Sequence, residues 1–198
     1  MPSRGFTTGE FVARPAERED TGEIQAFIES NPEYWLLTHG HPPLANDAAK
    51  SFDWHPPADM SYSEHLSLLV RHSSTREILA QIDVATDLLA TGVYHLGFFM
   101  TATRTHGSGF AHRLYASYER WAIEHGARWL RLGVVEVNRR AEAFWRRVGY
   151  VELKRQDSYM LGDRSHVLIT MAKPMPGERL REYLNAVPHD RNMAVTRI

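Results

Sequence analysis

The chain has 198 residues, 43% of them hydrophobic, with 23 basic against 24 acidic side chains and no cysteine. That length supports one core with a peripheral element or two, and the balanced charge removes the global field that draws proteins onto nucleic acid or anionic membranes. The absence of cysteine excludes a disulfide framework, a thiolate metal site and an acyl-cysteine intermediate, so any thioester chemistry takes its thiol from a cofactor.

In chain order, "EFVARPA" reads as an edge strand that Pro15 terminates. A helix is predicted over 20–30, with Ile24, Phe27 and Ile28 on one face. Residues 31–60 carry five prolines and several aromatics and read as a long irregular segment, with at most one short helix over 45–52. "HLSLLVRH", "EILAQIDVATDL" and "GVYHLGFFMTAT" are three strands with short breaks between them, which predicts an antiparallel meander. A helix follows over 110–125, with Leu114, Tyr118 and Trp121 at helical spacing and Gly126 placed for a left-handed cap. "RWLRLGVV" is a strand, "RRAEAFWRRVG" a second amphipathic helix, and "YVELKRQDSYM" with "SHVLITMAK" a final strand pair around "LGDR". Beyond Pro174 a short added helix and a frayed end are expected. The outcome is a mixed α/β sheet with helices on its faces, divided as a tail 1–10, a domain 11–173 and a C-terminal extension 174–198.

No run approaches the roughly 18 apolar residues of a membrane span. "MPSRGFTTGEF" lacks the apolar stretch of a signal peptide, so a cytoplasmic chain without membrane partners is expected. No "GxSxG" elbow, "HExxH" helix or Walker lysine loop occurs. The arginines of "NRRAEAFWRR" and "RWLRL" alternate with Glu136 and Glu142 in a neutral chain, which fits a solvated face rather than a nucleic-acid contact.

"RTHGSGF" joins an apolar strand to an amphipathic helix. A helix N-terminus presents unpaired N–H groups and the positive end of its dipole, and glycines such as Gly107 and Gly109 leave that end open to an anion. Arg104, His106, His112 and Arg113 surround it. Taken alone, the two glycines serve a flexible turn equally well.

The second motif is "NRRAEAFWRRVGY", with Asn138 before a helix, Ala141 one turn in, Phe144 and Trp145 on the next turn, and Gly149 at the exit. With both motifs present, residues 11–173 resemble the GCN5-related N-acetyltransferase (GNAT) superfamily. Its signatures are an Arg/Gln-x-x-Gly-x-Gly/Ala loop opening the main helix and an Asn-x-x-Ala-x-x-Phe-Tyr-x-x-x-Gly-Phe pattern. The resemblance implies a mixed, mostly antiparallel twisted sheet of about six or seven strands with helices on both faces, and two parallel strands splayed into a notch for acetyl-CoA or another acyl-CoA. By that resemblance Gly97, Phe98 and Phe99 pair with the pantetheine arm as an added strand would. The stretch Arg104, Thr105, His106, Gly107, Ser108, Gly109 and Phe110 holds the pyrophosphate, Thr105 to Phe110 through their amides. Asn138 hydrogen-bonds the cofactor arm, and Ala141, Phe144 and Trp145 line its other side. The family commonly has Gly at Thr105 and Pro at Thr101.

The implied reaction is direct attack of a neutral amine on the thioester in a ternary complex, with a main-chain N–H near Phe98 or Phe99 meeting the oxyanion. The family's tyrosine acid is replaced here by Trp145 and its strand glutamate by Gly133. Glu136 is then the first choice of base, ahead of Asp83 and Asp87, and Tyr159 is a choice of acid. Glu136 reads equally as a solvated carboxylate and Tyr159 as a packed sheet tyrosine.

By position, residues 31–60 would cover the acceptor cleft, with Tyr34, Trp35, His41 and Trp54 either walling it or anchoring the loop. "HGH" and His55 lack a further ligand at helical spacing, so no metal is expected. The expected partner is a small-molecule amine, with a protein amino group as the alternative acceptor and a homodimer left open. A catalytically inactive CoA-binding sensor or scaffold is the rival from another class, and an ATP-binding loop would want a lysine that "RTHGSG" lacks.

Overall fold

The computed structural model describes residues 4–191. Eight strands form one sheet in the order β1-β2-β3-β4-β5-β6-β8-β7, one strand more than expected. They are β1 (Phe6–Thr7), β2 (Phe11–Pro15), β3 (Glu64–His72), β4 (Ile78–Thr86), β5 (Val93–Thr101), β6 (Trp129–Val135), β7 (Val151–Leu161) and β8 (Arg164–Pro174). The helices are α1 (Thr21–Glu29), α2 (Glu33–Thr38), α3 (Asp47–Phe52), α4 (Phe110–Glu124), α5 (Arg139–Arg147) and α6 (Leu180–Ala186). All sheet pairings are antiparallel except that of β5 with β6.

β4 is buried at every position because helices cover both faces of the sheet. Ala80, Ile82 and Val84 face one layer, where Leu114, Tyr118 and Trp121 of α4 and Trp145 of α5 complete the core. On the opposite face Ile24 and Phe27 of α1, Trp35 of α2 and Ala48 of α3 pack on Leu69, Ile78 and Met100. Farther along that face Tyr183 of α6 and Val187 pack on Val93, Trp129 and Ala172.

β5 and β6 part company midway. Their pairing covers Val93–Leu96 against Trp129–Leu132. β5 then stays with β4 as far as Thr101, and β6 stays with β8 as far as Val135. The divergence starts at Gly97 and Gly133. At Gly97 the β4–β5 register also shifts, so this glycine is the extra residue of a bulge between Leu96, opposite Val84, and Phe98, opposite Asp83.

Two sequence-based expectations are corrected, and the short helix expected beyond Pro174 is present as α6. β2 is not the edge strand, because the two-residue β1 lies outside it. The segment 31–60 holds two short helices, α2 and α3, where one was expected. Pro32 stands immediately before α2, where its fixed φ suits helix entry. The region after Pro174 is docked through residue 190: Tyr183 and Asp190 are both fully buried, and Arg131 of β6 donates 2.7 and 3.0 Å hydrogen bonds to Asp190. The frayed end expected there falls, beyond residue 191, outside the described residues.

Candidate active site

The loop after β5 makes one tight turn, Thr103–Thr105, before α4 begins at Phe110. Gly107 and Gly109 have φ of 80° and 77°, a left-handed conformation that a side chain strains, and a Cβ on Gly107 would enter open space. The loop amides divide into two sets. Those of Thr105, His106 and Ser108 donate to the carbonyls of Ala102, Thr103 and Thr105, and that of Phe110 to Ser108 Oγ. The amides of Gly107, Gly109 and Ala111 donate to nothing among the described residues. They are therefore the donors available to an anion, a narrower set than the whole loop.

The side chains around the loop are unequally available. Arg104 is drawn back to Glu77 at 2.9 Å and to the Ile78 carbonyl. Arg113 is clamped on Glu10 by 2.9 and 2.8 Å hydrogen bonds. Arg140, exposed on the first turn of α5, lies near enough to add its charge to the burial that lowers the His106 pKa.

The far wall of the notch is α5. Asn138 caps it, accepting the Ala141 amide at 3.1 Å on Oδ1, which leaves its Nδ2 as a donor. Phe144 lies parallel to Phe99 across the notch at 6.2 Å between ring centroids, and His112 of α4 meets its edge. Ala141 is half-buried beside them. Trp145 is buried against Phe99, Tyr115 and Tyr150, so it is a core wedge and little of it remains to line a ligand.

Glu136, the first-choice base, is half-exposed and paired with Arg155. That pair opens a surface chain in which Arg155 meets Glu152, Glu152 meets Arg146, and Arg146 meets Glu142. A hollow of about 360 Å³ beside it is lined by Glu136, Arg139, Glu142 and Arg146, on the side of α5 opposite Phe144 and Trp145. Asp87 is held in a turn, accepting the Gly92 amide at 2.7 Å.

Asp83 has a different setting. It is buried on the α1–α3 face, opposite Phe98 on β5 and Ser67 on β3. Burial pushes its carboxyl up to about 6, against the opposing pull of hydrogen bonds from Ser67 and Gln81. Tyr34 packs edge-on against Phe98 at 5.3 Å, and burial pushes its hydroxyl up to about 12, with neighbouring Tyr159 and Asp83 adding to the rise. Tyr159 is brought here by a register shift in β7, where Ser158 adopts a φ of 58°.

One pleat along, His65, Ala85, His95 and Arg131 stand in a row across β3 to β6. Trp54 spans it, 4.9 Å from the His65 ring and with its indole edge 3.7 Å from where a Cβ on Gly97 would stand. Burial, then the Arg131 charge, push the His95 imidazole down to about 3, so it is neutral at ordinary pH. The tip of the β7–β8 hairpin rests on α2: Arg164 donates to the Leu37 carbonyl, the Asp163 amide to the His39 carbonyl, and His166 Nε2 bonds the Thr38 carbonyl. Tyr34 packs partly buried against Phe98, Trp35 is buried in the core beneath it, Trp54 lies over the row, and His41 lies outward, edge-on to His39 and bonded to the Pro42 carbonyl.

Sequence reasoning ranked Asp83 behind Glu136 and missed His65 and His95. The available signal was a charged residue inside the apolar run "ILAQIDVAT", whose cost in a buried strand calls for a reason. Among the described residues, no group of three or more His, Asp or Glu gathers as a metal would need, and no helix is long and apolar enough to cross a membrane.

The family model described as the acetyltransferase (GNAT) family matches residues 9–150. No curated protein sequence matches the chain. Among solved structures, a probable acetyltransferase of the GNAT family from Chromobacterium violaceum superposes with a TM-score of 0.71 at 14% identity, over 88% of this chain and 87% of that one. A spermidine N-acetyltransferase from Vibrio cholerae in complex with CoA and spermine gives 0.65 at 14% identity, over 84% and 96%. The ribosomal-protein-S18-alanine N-acetyltransferase from Escherichia coli gives 0.59 at 17% identity, over 86% and 98%.

Proposed function

We propose, on the premise that the chain belongs to the acetyltransferase (GNAT) family, that it transfers an acetyl group from acetyl-CoA to a primary amine by direct attack within a ternary complex. The observation that carries this reading is the notch opened at Gly97 and Gly133, with the unbonded amides of Gly107, Gly109 and Ala111 at one end. The residues present fit the cofactor. Open space beside Gly107 admits a diphosphate, Arg140 and the α4 dipole favour its charge, and the edge of β5 past Leu96 is free to pair with an extended arm. Asn138 Nδ2 is a further donor to that arm, and Phe144 flanks it.

Bound acetyl-CoA supplies an activated acetyl thioester, whose oxygen gains charge as the amine attacks and whose sulfur leaves. The chain's residues meet three demands. A main-chain N–H at Phe98 or Phe99 receives the charge on oxygen. Asp83, directly or through one water, takes the proton that the ammonium must lose, and a carboxyl with a pKa near 6 is suited to a base working around neutrality. Tyr159 returns a proton to the departing sulfur and regains one from the attacking nitrogen, which sheds its second proton as the amide forms. One N–C bond forms and one C–S bond breaks, and the products are an amide and free thiol.

A small-molecule acceptor is favoured because the β7–β8 tip bridges to α2 and narrows the approach. The test is acetyl-CoA binding by calorimetry together with thiol release across an amine panel. Binding with amine-dependent thiol release is expected. Binding without turnover on any amine would make the chain a CoA-binding module.

A further inference from the structure

The acceptor's chemistry can be read from the face that Asp83 shares, and this step rests on the acetyl-transfer reading above. In the two cross-strand rows beneath the cleft, Ser67–Asp83–Phe98 and His65–Ala85–His95–Arg131, the chargeable groups do not contribute equally. Arg131 is consumed by Asp190, and burial holds both His65 and His95 toward their neutral forms. What remains in these rows is a single carboxylate. On the covering segment, Asp53 pairs with Arg18 at 2.7 Å, Asp47 accepts the Leu44 amide at 2.9 Å and Glu33 accepts the Thr103 hydroxyl at 2.5 Å.

Around that carboxylate the surfaces are flat and apolar. Phe98 lies beside it with Tyr34 against its edge, and Trp54, 40% exposed, spans the neighbouring row. His65 Nε2 beneath Trp54 is buried without a hydrogen-bond partner among the described residues, which is unfavourable in a finished core. A polar atom left open in this row fits a surface that a ligand completes.

We propose that the acceptor is a primary monoamine carried on a flat, apolar body, its ammonium directed to Asp83 and its body lying between Trp54 and Phe98. A polyamine would need a second carboxylate along its length, which the two rows lack. A lysine on a folded protein would need an open approach, which the hairpin tip seated on α2 obstructs. An aromatic body would gain from stacking on the indole, and a cation that fell short of Asp83 would still favour that ring.

The test compares kcat/KM for 2-phenylethylamine and tyramine with that for spermidine and for a lysine-containing peptide, in the wild type and in Trp54→Ala, with CoA affinity measured on each preparation. The aromatic monoamines should exceed spermidine and the peptide by at least about tenfold, and Trp54→Ala should raise KM for them about tenfold or more. A preference for spermidine or the peptide, or an unchanged KM in Trp54→Ala, overturns this inference while CoA binding and turnover keep the acetyl-transfer reading intact. Loss of CoA binding in the wild type overturns that reading and this inference with it.

Discussion

Asp83 on β4 stands directly opposite Phe98 on β5, one residue beyond the bulge at Gly97. A buried carboxylate therefore sits a single strand spacing, about 4.8 Å, from the backbone that borders the notch. The groups acting on it are Ser67 of β3 and Gln81 of its own strand, with Tyr34 of α2 close enough to couple to both Asp83 and Tyr159.

That arrangement makes opposite predictions for activity and stability. Wild-type kcat/KM should rise as pH passes through about 6, and Asp83→Asn should lose that rise together with about 10²–10⁴-fold in rate. Because the folded carboxyl titrates above its ordinary value of 3.8, the native state holds the extra proton between 3.8 and about 6, and stability falls as pH rises through that window. Asp83→Asn removes the penalty, so it should be more stable than wild type at pH 8 by up to about 3 kcal/mol and nearly equal to it at pH 3. Urea melts at the two pH values check the sign.

Glu136 should behave as a surface residue. Its partner Arg155 is shared with Glu152, and both ends of the pair are open to water. Glu136→Gln should change kcat by less than about twofold and stability by no more than about 0.5 kcal/mol, since exposed pairs are screened. A loss of activity comparable to that of Asp83→Asn would return the base role to Glu136.

The contrast between these carboxylates marks what the sequence can show. The two helices framing the notch were legible because their periodicity, capping residues and glycines are local signals: Asn138 caps α5 and Gly109 opens α4 as their positions imply. The identity of a buried base is not local. Asp83 lies between β3 and β5 beside Tyr34 of α2, and Glu136 loses its freedom to Arg155, nineteen residues away on another strand. The α2 helix escaped for the same reason, since it is short and is stabilised mainly by tertiary contacts such as Trp35 against Phe98.

At the loop, Gly107→Val and Gly109→Val should each cost about 1–2 kcal/mol through the positive φ, and should weaken CoA binding by at least about tenfold as the free amides reorient. Calorimetry with CoA on variants whose melts confirm folding makes the measurement. Two folded variants with wild-type affinity would remove the loop from the binding site.

Asp190 predicts the fate of the C-terminal segment. Its carboxylate is fully buried and bonded by Arg131 at 2.7 and 3.0 Å and by the Tyr183 hydroxyl at 2.5 Å. Burial alone would raise its pKa, but the Arg131 guanidinium wins and holds it well below the usual carboxylate range. A depressed carboxylate contributes stability above its unfolded pKa and loses it as pH falls below that value, so the wild type should weaken under acid from about pH 4 downward. Asp190→Asn should lack that part of the acid sensitivity and cost about 3–5 kcal/mol at neutral pH, because Arg131 is left buried with its charge unpaired. Arg131→Met combined with Asp190→Leu should recover part of the loss, since neither partner is then an isolated charge. If Asp190→Asn proves as stable as wild type, the Arg131–Asp190 pair does not hold α6 to the sheet.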